Sequence, residues 1–188
     1  MTMGIASRPV EDRAVGEFLD CAAGEPSALL IEGEPGICKT TLWRASIERA
    51  RGRGFQVLSA QVPGTESVLA YSSLADLIGG VDPAAWKDLP SLPRAAVEQI
   101  LQREHAFGAA TDQRAVAAAF LAVIERLSGD GPVLVAIDDL QWLDPSTAHV
   151  VAYTARRLSG PAGFSARCAP CLRTATRCHG CNSPGPMP

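Results

Sequence analysis

Nothing in the 188 residues is built for a membrane or for export. No run of 18 apolar residues occurs, so no membrane-spanning helix is predicted. The opening Met1-Thr2-Met3-Gly4-Ile5-Ala6-Ser7-Arg8-Pro9 lacks the apolar stretch of a secretory signal, and a cytoplasmic location is expected. Excess positive charge is also missing. The 17 Lys and Arg stand against 20 Asp and Glu, a net charge of −3, which makes the chain a poor binder of nucleic-acid backbone. Internal repeats are absent as well. What is present, 47% apolar and 20% charged residues, is ordinary globular composition at a length that suits one domain.

Cysteine is scarce along most of the chain and concentrated at one end. Cys21 and Cys38 are isolated, whereas Cys168, Cys171, Cys178 and Cys181 all fall within residues 165–188. That stretch also holds three Arg, four Pro and no acid, with Leu172 and Met187 its only large aliphatic residues. The chain therefore divides into residues 1–164, read as a folded α/β domain, and residues 165–188, read as an irregular tail. Two Cys-x-x-Cys knuckles, with His179 inside the second, offer four thiolates to zinc. The loop between them is short and apolar neighbours are few. Disulfides are the less expected use of these thiols in a cytoplasmic chain. A disordered tail, or an out-of-frame reading that replaced another continuation, accounts for the same composition.

Within the body, Ser27-Ala28-Leu29-Leu30-Ile31-Glu32 is a short apolar run ending in a glycine-rich turn, the mark of a buried parallel strand. Lys39 to Arg51 reads as a helix, and Phe55 to Ala60, after Gly52 and Gly54, as a second strand. Ser73 to Ile78 is predicted helical and closed by Gly79-Gly80. Pro83, Pro90 and Pro93 break the next stretch into short pieces, with a helix from Arg94 to Arg103. Asp112 caps an amphipathic helix in which Val116, Phe120, Val123 and Leu127 recur at helical spacing. Val133 to Ile137 is a third buried strand, running into Asp138-Asp139, and Ser146 to Leu158 a last helix. Short buried strands alternating with helices predict a three-layer α/β domain with a parallel sheet.

The chemistry gathers at the strand ends. Gly33-Glu34-Pro35-Gly36-Ile37-Cys38-Lys39-Thr40-Thr41 nearly matches the phosphate-binding pattern GxxxxGK[ST]. In such a loop successive backbone N–H groups wrap phosphate at the positive end of a helix. Lys39 would reach the outer phosphates, and the Thr40 hydroxyl would hold Mg²⁺. Cys38 stands where the pattern has a glycine, and a Cβ there is expected to weaken nucleotide binding. A thiol at a helix N-terminus beside Lys39 would also be reactive, a redox-gate reading that competes with simple inactivation. About 100 residues later, Asp138 ends an apolar strand. A carboxylate there faces the phosphate loop across the carboxyl edge of a parallel sheet. Asp138 would bind Mg²⁺ through water, and Asp139 would orient or deprotonate the attacking water.

Asp138-Asp139-Leu140-Gln141-Trp142-Leu143-Asp144-Pro145-Ser146, joined to the phosphate loop, resembles the ATPase module of large LuxR-type (MalT-like) bacterial transcriptional regulators. These are a branch of the STAND/AAA-like P-loop NTPases. The resemblance covers roughly residues 8–164. Arg8-Pro9-Val10-Glu11-Asp12-Arg13 resembles that family's N-terminal "VGRE" box imperfectly, and Tyr71 to Leu77 fits its helix after the second strand. The resemblance implies ATP as a switch ligand with Mg²⁺, Asp138 as the metal aspartate and Asp139 as the water-activating acid. It also implies a sheet in the order 5-1-4-3-2. Trp142 is expected to serve packing, and Asp144 to cap the helix that begins at Pro145-Ser146. After Leu158 the family continues into a fourth strand with a polar sensor residue, a fifth strand and a helical lid. Ser165-Ala166-Arg167-Cys168 carries no strand pattern, so the fold is expected to be incomplete, with two central strand edges unpaired.

Three functions follow from these readings. The first is a Mg²⁺-dependent ATP-binding regulatory module, at most a weak ATPase, acting through a protein partner or self-association. The second is a degenerate remnant that no longer binds nucleotide. The third is a small zinc-bearing interaction protein using Cys168, Cys171, Cys178 and Cys181. Direct DNA binding is not expected, because no helix-turn-helix follows and the body is acidic. His105 and His149 are expected in surface or half-buried roles.

Overall fold

A computed structural model describes residues 9–33, 39–62, 69–102 and 112–168. The first element is a helix, α1 (Pro9–Ala22), in which Val15, Phe18, Leu19 and Ala22 are buried at i, i+3, i+4 and i+7. Proline opens it, where a missing N–H costs nothing, and Glu11 and Asp12 favour the positive end of the helix. Strand β1 (Ser27–Glu32) follows, then helix α2 (Lys39–Gly52) and strand β2 (Gln56–Gln61). The α2–β2 turn passes through Gly54 at φ +82°, a conformation that glycine adopts without a side-chain clash.

Three short helices come next: α3 (Ser72–Gly79), α4 (Ala84–Lys87) and α5 (Ser91–Leu101). The sequence pattern starts α5 at Arg94, after Pro93, but the helix begins three residues earlier. Pro93 sits in its first turn, where the ring breaks no hydrogen bond. Helix α6 (Gln113–Ser128) starts as expected, with the Asp112 carboxylate accepting from the Arg114 N–H at 2.9 Å. Strand β3 (Val133–Asp138) is buried at every position. A single 3₁₀ turn (Leu140–Trp142) leads to α7 (Pro145–Ala155) and strand β4 (Ala162–Cys168).

All strand pairs are parallel, in the order β1-β4-β3-β2. Two faces of side chains divide the core. Leu29, Ile31, Leu134 and Ala136 pack with Val15, Phe18, Leu19, Trp43 and Ile47, placing α1 and α2 on one side. Leu58, Val133, Val135, Ile137 and Ala162 pack with residues of α3, α5 and α6, which cover the other. This is the three-layer α/β domain with a parallel sheet that the sequence predicts.

One expectation fails. The fourth strand is present, and it fills the centre of the sheet. Gly163 to Cys168 pair in register with Ser27 to Glu32 on one side, and Ala162 to Ala166 pair with Val133 to Ile137 on the other. No central edge among the described strands is left open. The boundary expected after residue 164 falls inside this strand. The pattern is faint because α1 lies hard against β4. A Cβ on Gly163 would sit 2.8 Å from the Phe18 ring and 2.9 Å from the Ala22 Cβ, so any larger residue would push α1 and β4 apart. Ser165, fully buried, is likewise small, its hydroxyl without a hydrogen-bond partner. Close packing of a helix, not β-propensity, sets the glycine.

Candidate functional site

The carboxyl edge of the sheet brings together residues from three elements. Lys39 is the first residue of α2 and is 8% exposed. Its ammonium donates to the Gly33 carbonyl just beyond β1, so the two ends of the glycine-rich connection are tied together. A lysine at the N-terminus of a helix adds its donors to the backbone N–H groups that open the helix. Thr40 follows, half-buried, and Thr41 is exposed. Glu34, Pro35, Gly36, Ile37 and Cys38 lie outside the described residues.

Asp138 ends β3 with 5% of its surface exposed. The strand order puts one strand, β4, between the Lys39 end of β1 and Asp138. Two strand spacings set the end of β1 about 10 Å from the end of β3. Asp139 then adopts φ 52°, a left-handed conformation uncommon outside glycine. Its N–H donates to Asp138 Oδ1 at 3.0 Å, and its own Oδ1 accepts from Gln141 Nε2 at 3.1 Å.

Arg167 of β4 binds both acids. Its Nε donates to Asp138 Oδ1, and its Nη2 donates to Asp139 Oδ2 at 2.7 Å. The side chains of Arg167 and Asp138 are 13% and 8% exposed, and that of Asp139 34%. The hydrogen bond to Asp138 and the charges of both carboxylates hold the guanidinium pKa above its usual value, against an opposing effect of burial. Sequence reasoning missed this residue by assigning it to the tail. The signal that could have found it is topological. A helix following β3 must return the chain to a parallel strand, and Ala162, Phe164 and Ala166 alternate on one face after the Gly160-Pro161 turn.

Asp144 and Trp142 divide from the expectation in opposite directions. Asp144 caps α7, its Oδ1 accepting from the Thr147 N–H at 2.9 Å. The same oxygen accepts from the Tyr71 N–H at 2.9 Å, which ties the start of α3 to the turn after β3. Trp142 does not serve packing: it is 48% exposed on the 3₁₀ turn, with Leu140 and Leu143 turned inward in its place. His149 is exposed on α7. His105, Cys171, Cys178, His179 and Cys181 lie outside the described residues, and Cys168 is buried at the end of β4, opposite Glu32. Among the described residues no three His, Cys, Asp or Glu gather as a metal cluster, and no helix is long and apolar enough to cross a membrane.

Residues 8–164 match the model of the AAA ATPase domain family. Over 177 aligned residues the chain is 27% identical to the uncharacterized protein R02095 of Rhizobium meliloti (strain 1021). The alignment takes in 81% of this chain and 17% of that relative.

Proposed function

Because the chain belongs to the AAA ATPase domain family, its fold a P-loop NTPase module, we propose that it binds ATP with Mg²⁺ at the carboxyl edge of the sheet, as a regulatory switch. The observation that carries this reading is Lys39, a buried cation at the head of α2, placed one strand away from the Asp138–Asp139 pair. Lys39 would neutralise the outer phosphates, and the backbone of residues 33 to 41 would supply N–H donors.

The donor set suits a small hard cation. A Thr40 hydroxyl and an Asp138 carboxylate are both oxygen ligands, and Mg²⁺ retains waters beside one or two carboxylates. When bound, the ion supplies charge neutralisation at the terminal phosphates. Asp139 is the candidate for orienting water. Both its oxygens are already engaged, by Gln141 and Arg167, which supports slow hydrolysis or none. The relation to LuxR-type regulators, and to a longer chain carrying a DNA-binding module, rests on the Asp138 to Ser146 segment. The zinc reading is weaker, since Cys168 is built into the sheet.

Titration of the purified chain with ATP and Mg²⁺, beside Lys39→Ala and Cys38→Gly, tests the proposal. Lys39→Ala should weaken binding by ~10-fold or more, at least ~1.4 kcal/mol, and Cys38→Gly should tighten it. Equal affinity of the parent and Lys39→Ala would overturn the reading. A parent that binds nothing beside a Cys38→Gly variant that binds would identify the remnant.

A further inference from the structure

Two adjacent carboxylates at the end of a buried strand repel one another, and something must offset that repulsion while the site holds no cation. Arg167 does so with two separate donors, one for each acid. Its place in the fold is fixed, because β4 is paired on both sides, with Ile31 opposite Arg167 on β1 and Ile137 opposite Ala166 on β3. Asp138 Oδ1 already accepts from Arg167 and from the Asp139 N–H, which leaves that oxygen no free lone pair for a metal ion. A divalent ion on the other oxygen of Asp138 would lie against the guanidinium, with like charges at close range in a site largely removed from water.

Resting on the nucleotide reading above, we propose that Arg167 is an internal counter-cation of the Asp138–Asp139 pair, mutually exclusive with a divalent cation at Asp138. Arg167 must leave Asp138 before a metal ion is held there, so the protein on its own discriminates against free Mg²⁺. Release of the guanidinium then accompanies arrival of the metal with its nucleotide. Arg167 is thus a positioning residue for the acid pair and couples cation loading to a change at the centre of the sheet.

The experiment is a Mn²⁺ titration of the full chain without nucleotide, followed by electron paramagnetic resonance of the free ion. Arg167→Gln should bind Mn²⁺ at least ~10-fold more tightly than the parent. Adding Asp138→Asn should remove that gain, and Arg167→Lys, which keeps the charge, should stay weak. Affinity unchanged or lowered in a folded Arg167→Gln chain would overturn the proposal. Should that variant unfold, the ¹⁵Nε–H resonance of Arg167 in the parent decides. It should be lost to solvent exchange at saturating Mg²⁺·ADP, and its persistence while displacement of a fluorescent ADP analogue shows the nucleotide bound would refute the exchange. A parent that binds no nucleotide would strike the premise alone. The Mn²⁺ titration, and the same resonance followed against Mg²⁺ alone, would still decide the exclusion.

Discussion

Asp144 offers a way to weigh one carboxylate oxygen that serves two elements. The residue is 1% exposed, and its Oδ1 receives both the Thr147 N–H and the Tyr71 N–H at 2.9 Å. Removing the side chain with Asp144→Ala loses the cap of α7, worth about 1 kcal/mol. It also takes the carboxylate from the buried Tyr71 N–H, a further ~1–3 kcal/mol where water does not replace it. Against this, Asp144 Oδ2 is buried without a hydrogen-bond partner, and its removal relieves some desolvation. The net cost is therefore about 2–3 kcal/mol, which at ~2–4 °C per kcal/mol lowers Tm by roughly 4–12 °C. Two further substitutions separate the contributions. Asp144→Asn keeps the accepting oxygen and should cost about 1 kcal/mol or less. Asp144→Ser keeps the cap but is too short to reach Tyr71, so it should fall between Asn and Ala. Urea unfolding followed by far- and near-ultraviolet circular dichroism reads the series. An alanine variant within ~0.5 kcal/mol of the parent would refute the argument, and a serine variant as stable as the asparagine would show that the Tyr71 link contributes nothing.

Other consequences are simpler to check. Gly163→Ala forces its Cβ to within 2.9 Å of the Ala22 Cβ, which cannot rotate away. Overpacking of this kind should cost ~1–3 kcal/mol in urea unfolding, and an unchanged midpoint would show that α1 stands farther from the sheet. Trp142→Ala removes a side chain 48% exposed, so stability should change by no more than ~0.5 kcal/mol. A loss above ~2 kcal/mol would place that ring in the core after all.

Much of this was legible in the chain itself, for identifiable reasons. β3 announces itself because a strand buried on both faces needs a continuous apolar run, and α6 because one face alone is buried. Asp112 and Asp144 are readable as caps because a short acidic side chain before a helix has few better uses. α1 is readable too, since Val15, Phe18, Leu19 and Ala22 carry helical spacing, although the Arg8–Arg13 box overlaps its first turn. β4 is hidden. Its glycine answers to a helix far away in sequence and its alanines to the core on the opposite face, and such constraints leave no local pattern. With β4 went Arg167, whose partners lie 28 and 29 residues earlier in the chain.

The position of β4 also dictates an order of events during synthesis. β3 can pair with β2 early, but neither β1 nor the other edge of β3 finds its neighbour until residues 162–168 have left the ribosome, because the strand between them comes last among the described strands. At roughly 5–20 residues per second, β1 waits about 7–27 seconds with an uncovered edge. The nascent chain is most vulnerable to aggregation in that interval, and a binding factor that shields such edges would act before β4 slots in.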